Sequence, residues 1–228
     1  MRGFVFVLVG CFLLSLPAMA NDHQETPKVP EALARALKQI TDADSYAFQS
    51  SPPGKKTGGV EGKYQKGEPV YFKVEQIEFF KKGDKLVYKQ DDKWQRTKTG
   101  VESDPLRILG PSAKVRETVL PHEELKGLEK ELKDIKAQPA QDNAHGANLT
   151  IDGCKKLLLP SDRELAKGGK VTFQLDKEGN LVQYDVAIDI QGKRGNAEVS
   201  GTVSRGVRLM DVGKTKVEAP DAARKVLE

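Results

Sequence analysis

The chain has 228 residues, of which 31% are charged and 6% aromatic, with a formal net charge of +4. Its positive charge is spread along the sequence, which excludes the concentrated basic face of a nucleic-acid binder and leaves room for a weak attraction to anionic lipid head groups. With two cysteines and no glycine-rich phosphate loop, it has neither a disulfide framework nor a cofactor motif.

The chain opens on a basic residue, Arg2, an apolar run from Phe4 to Leu16, and Pro17-Ala18-Met19-Ala20. That pattern reads as a cleavable signal peptide over 1–20, so the mature chain works outside the cytoplasm, in the periplasm or cell envelope. The run falls short of the roughly 20 apolar residues a transmembrane helix needs. Leu8-Val9-Gly10-Cys11 carries the letters of a lipobox, but the apolar run continues through Phe12-Leu13-Leu14. Cleavage after Ala20 is therefore preferred to an acyl anchor at Cys11. Removal of the signal leaves roughly 200 residues, enough for one substantial core or two small ones.

Residues 21–29 are polar and read as a loose mature N-terminus, and 30–228 as one domain. Pro30 opens a helix to about Ala43, with Leu33, Leu37 and Ile40 on one face. Residues 45–50 read as a strand with Tyr46 and Phe48 on one side, and 51–59 as a flexible loop. Strands follow at 60–66 and 70–80. In the latter, Val70, Phe72 and Val74 have one parity, whereas Ile77 and Phe79 have the other. A bulge near Glu75-Gln76, or burial on both faces, would reconcile them. Strands at 85–89 and 93–97 complete an antiparallel meander.

The pattern turns helical from Asp104 to Lys136, weakly at 106–109 and firmly from Glu123 to Lys136, where Leu125, Leu128, Leu132 and Ile135 share a face. A loop spans 137–146. The remainder reads as a strand at 148–159 closed by Pro160, a short helix at 161–167 capped by Ser161, and a strand at 170–176. A strand at 181–190 has Val182, Tyr184, Val186, Ile188 and Ile190 on one side. After a turn at 191–196 come a long strand at 197–210 and a short helix begun by Pro220. Roughly eight strands and two main helices make an α+β fold with an antiparallel sheet.

The order of elements resembles the LolA-like half-barrel superfamily of bacterial envelope proteins, which includes the periplasmic lipoprotein carrier and mycobacterial lipid-binding lipoproteins. The resembling pieces are the helix 32–40 running into Tyr46 and Phe48, the hairpin Phe79 to Tyr88, and Leu157-Leu158-Leu159-Pro160 followed by 173–182. The resemblance implies a strongly curved antiparallel sheet, a half-barrel covered by amphipathic helices around a cavity for acyl chains. It brings no catalytic residue, and no local motif among Arg96, Arg107 and Arg116 marks the carrier's lid-holding arginine.

Side chains placed to line a concave face are Phe72, Val74, Leu86, Phe173, Tyr184, Val186 and Ile188; alternatively they pack as core under the first helix. Trp94 either sits at a cavity mouth or anchors the hairpin edge. Cys154 is expected as a buried strand residue rather than a nucleophile, since no histidine lies near it in sequence. Asp185 and Asp189 on one strand face stand about 13 Å apart, too far for an acid–base pair, so no enzyme is expected. Two functions remain: an exported, non-enzymatic carrier or sensor of a lipid, lipoprotein or other apolar molecule, and a structural or protein-interaction domain of the envelope.

Overall fold

A computed structural model describes residues 29–51, 59–97, 110–138, 143–158 and 160–228. The expected signal peptide, most of the loose N-terminus, the loop at 52–58 and the weak helical pattern at 106–109 lie outside the described residues.

After α1 (Glu31–Thr41) the chain forms six strands in a row: β1 (Ser45–Ser51), β2 (Val60–Gln65), β3 (Val70–Val74), β4 (Ile77–Lys82), β5 (Lys85–Gln90) and β6 (Lys93–Arg96). Two short helices, α2 (Pro111–Glu117) and α3 (Pro121–Leu125), and a 3-10 turn (Leu128–Glu131) carry it to the far edge. From there β7 (Leu132–Ala137), β8 (Ala144–Leu149), α4 (Ile151–Leu157), a second 3-10 turn (Pro160–Leu165), β9 (Ala166–Leu175), β10 (Leu181–Arg194) and β11 (Ala197–Met210) lead back to β1. A final helix, α5 (Asp221–Leu227), ends the chain.

All neighbouring strands are antiparallel in one open sheet, in the order β6-β5-β4-β3-β2-β1-β11-β10-β9-β8-β7. Two meanders thus join where β1 pairs with the end of β11, Ala47 opposite Met210 and Ser51 opposite Gly206. Among the described residues the sheet has eleven strands, more than the roughly eight expected. One cause is the segment 70–80, which is a tight hairpin rather than a bulged strand: Val74 pairs with Ile77 across Glu75 and Gln76, and Glu75 takes φ 57°. The change of parity was the turn itself.

The second cause is the stretch 123–136, expected as a helix. Its helical part ends at Leu125, Gly127 reverses the chain at φ 75°, and 132–137 is strand β7. Leu125, Leu128 and Leu132 are all buried, so a turn followed by a strand meets the same spacing that suggests a helix face. Likewise, 148–159 is not one strand. Thr150 caps α4, its hydroxyl accepting the Gly153 N–H at 3.0 Å, and this places the buried Cys154 on a helix. The segment 161–167 is a 3-10 turn running into β9. The reversal expected at 191–196 shrinks to Gly195-Asn196, with β10 extending to Arg194.

The main core lies on one face of the sheet. Leu33, Ala36, Leu37 and Ile40 of α1 are buried there with residues of β1–β5 and β7–β11 in one cluster. Each fully buried leucine or phenylalanine contributes about 1.5–3 kcal/mol of transfer free energy. The opposite face carries a smaller cluster in which Val217, Ala219, Ala223 and Leu227 cover Phe80 and Val87. The C-terminal segment is pinned there by Arg224 to Glu68 at 2.7 Å and by the Val217 N–H to Gln65 Oε1 at 2.8 Å. Strands β4 and β5 are therefore buried on both faces, Phe79 inward and Phe80 outward.

Candidate functional site

Helix α3 lies over the main face with only five residues, too short to hold itself. Pro121 suits its first position, and Leu125 is buried. Two polar contacts hold it to the sheet.

The first joins His122 to Tyr46 on β1. The His122 backbone N–H donates to the Tyr46 oxygen at 3.3 Å, and the Tyr46 hydroxyl lies 2.6 Å from His122 Nδ1. A Tyr46 hydroxyl that donates to Nδ1 requires a neutral imidazole. The ring also stacks against Tyr64 at 4.4 Å between centroids. Burial lowers the His122 pKa below its ordinary value and raises that of Tyr46. Because the folded state resists protonating His122, its contribution is whole above about pH 6.5 and is lost as pH falls through that value toward the folded pKa. Urea midpoints measured between pH 7.5 and 5 are expected to fall with acid, and His122→Phe to flatten that part of the slope.

The second is a buried carboxylate, Glu124, whose side chain is 3% exposed. One oxygen accepts from the hydroxyl of Tyr184 on β10, and the other pairs with the Arg205 guanidinium on β11. Arg205 Nη1 also donates to the Leu157 carbonyl at the end of α4, at 3.0 Å. Burial lowers the Arg205 pKa to about 10, still well above neutrality; the facing carboxylate favours the charged form as well. Glu124 and Arg205 thus tie two helices to two strands. Beside α4, Glu131 accepts from Lys156 Nζ and from Thr150, and these two donors lower its pKa.

Beside this tie runs a cleft of about 630 Å³ between β1, β2 and β11 and the short helices. Phe48, Val60, Leu157, Leu158, Val203 and Val207 supply apolar wall. Lys114, Arg116, Lys156 and Arg163 stand around it together with the Glu124–Arg205 pair. A volume of this size falls in the range of roughly 300–1,000 Å³ common to small-molecule sites.

None of the eight residues singled out from the sequence lines this cleft. Phe72, Val74, Leu86, Phe173, Tyr184, Val186 and Ile188 are buried together in the main cluster, Tyr184 reaching the cleft through Glu124. Trp94 lies on the opposite face against Phe80, 5.2 Å between ring centroids. Among the cleft residues, Phe48 stood in an alternating strand and Leu157 and Leu158 in one of the resembling pieces; the others gave no local signal. Asp185 and Asp189 accept from separate partners, Gln183 and Thr202. Among the described residues no group of His, Cys, Asp and Glu is placed to hold a metal ion, and no helix is long and apolar enough to cross a membrane.

Among solved structures, the chain is similar to the lipoprotein LppX of Mycobacterium tuberculosis, 14% identical over 82% of this chain and 95% of that one, with a TM-score of 0.46. It is also similar to LprF of Mycobacterium bovis, 11% identical over 84% of this chain and 95% of that one, with a TM-score of 0.47. No family model matches the chain, and no curated protein matches it.

Proposed function

We propose that this chain is an exported, non-enzymatic carrier or sensor of a lipid or other apolar ligand, held in the cleft of a half-barrel formed by residues 30–228. The observation that carries the reading is the apolar cleft of about 630 Å³ between the sheet and its short helices. The half-barrel is supported by width. Eleven strands laid flat would span roughly 48 Å, yet one buried cluster runs from Leu86 on β5 to Leu149 on β8 beneath α1 and a few short turns. A flat sheet of that width would leave much of the face wet, so the face curls around its helices. The seven buried residues singled out from the sequence belong to the packed core that Phe48, a wall of the cleft, also joins.

The amino-terminal pattern supports export, with cleavage after Ala20 preferred to acylation at Cys11; the intact mass of the mature chain distinguishes the two. The central test is native mass spectrometry of the full chain, with titration of an apolar fluorescent probe. Lipid mass on the purified protein and saturable probe binding are expected, and Val203→Trp, which fills the cleft, is expected to weaken the probe at least tenfold while leaving the circular dichroism spectrum unchanged. A protein that carries no lipid and binds no probe would overturn the reading.

A further inference from the structure

The charges around the cleft are unequal in a way that bears on its ligand. Glu124 and Arg205 neutralise each other inside it. Of the remaining bases, Lys156 is paired with Glu131 at 2.5 Å and Lys114 faces Glu75 at 3.8 Å. Arg116 and Arg163 differ from these. Arg116 Nη2 donates to the neutral Thr97 hydroxyl at 2.5 Å, and Arg163 Nε to the Leu158 carbonyl at 3.5 Å. Neither guanidinium has a carboxylate partner among the described residues. Glu117 and Asp162 are the other acids of the rim, so once Lys114 and Lys156 are matched with Glu75 and Glu131, two guanidinium groups remain that are held only by neutral acceptors.

Resting on the reading of the cleft as a ligand site, we propose that it selects amphiphiles with an anionic head group, a phosphate, sulfate or carboxylate, held between Arg116 and Arg163 while the alkyl chain lies along Phe48, Leu157 and Val203. The physical case is complementarity. Each guanidinium keeps donors beyond the one it spends on a neutral acceptor, and charge-assisted hydrogen bonds to an anion are about twice as strong as neutral ones. The apolar wall beside them has no use for a free inorganic anion, whereas an uncharged lipid would leave the two guanidinium groups without a counter-charge.

The test compares dodecyl phosphate, dodecyl maltoside and dodecyl trimethylammonium, each below its micellar concentration, by calorimetric titration of the full chain at low and high salt. Dodecyl phosphate is expected to bind at least about tenfold more tightly than the uncharged probe, with the margin shrinking at high salt. The cationic probe is expected to bind weakest. Arg116→Gln with Arg163→Gln is expected to erase the margin and leave dodecyl maltoside binding in place. Equal binding of all three wild-type complexes would overturn the head-group preference and leave the apolar site standing. Failure of every dodecyl probe would overturn both. Inorganic phosphate competing as well as dodecyl phosphate would show a free-anion site and overturn the amphiphile.

Discussion

Glu124→Ala is expected to lower the unfolding free energy by about 3 kcal/mol, the low end of the 3–5 kcal/mol typical when one partner of a buried ion pair is removed. The low end applies because Arg205 is 29% exposed and water reaches its guanidinium in the variant. What is lost is less the attraction of the pair than the cost of the groups left behind: a guanidinium without its counter-charge, still bonded to the Leu157 carbonyl, and a fully buried Tyr184 hydroxyl without an acceptor. This predicts an asymmetry. Tyr184→Phe, which removes one donor to a buried carboxylate oxygen but leaves the ion pair, should cost less, about 1.5–2 kcal/mol. The double replacement Glu124→Leu with Arg205→Met should recover the part of that loss owed to the unpaired guanidinium, while the Tyr184 hydroxyl still lacks its acceptor. Urea unfolding of the four proteins reads the series. A loss below about 1 kcal/mol in Glu124→Ala would mean that α3 is held by its apolar contacts alone.

What could be read in advance follows from which interactions are local. The face of α1 and the alternation of Tyr184, Val186, Ile188 and Ile190 report which side of an element turns away from water, and those residues are buried. The same signal cannot distinguish a packed core from a hollow one. Alternation therefore led to the best-packed residues of the sheet, whereas the cleft is bounded by parts of β1, β2 and β11 that meet helices from elsewhere in the chain. Tyr46 and His122 are 76 positions apart, and Glu124 and Tyr184 are 60. No local period marks such pairs. The strand count was missed for a different reason. Glu75 occupies a left-handed turn position usually given to glycine or asparagine, so the hairpin lacked its customary letters. Leu125, Leu128 and Leu132 kept helical spacing across a break that Gly127 alone signalled.

Phe48 stands where the core becomes the cleft, which makes its removal the most informative apolar change. The side chain is 1% exposed, meets Phe72 edge-on at 6.1 Å and lies beside Tyr46 at the same distance. Its ring also fills the space above Gly62, where a Cβ atom would come within 2.2 Å of it. Phe48→Ala is expected to cost about 3–5 kcal/mol through lost burial and the cavity left behind. Because Phe48 is also a wall of the cleft, that cavity opens into it and extends it toward Phe72. Stability and binding should then move in opposite directions: a protein closer to unfolding that, while still folded, takes up a long-chain apolar probe at least as tightly as the native chain. Leu37→Ala is the control, since Leu37 is fully buried on α1 and does not line the cleft; it should lose about 2–5 kcal/mol with no gain in probe affinity. If the two variants changed probe binding alike, the apolar ligand would have to sit elsewhere than beside Phe48.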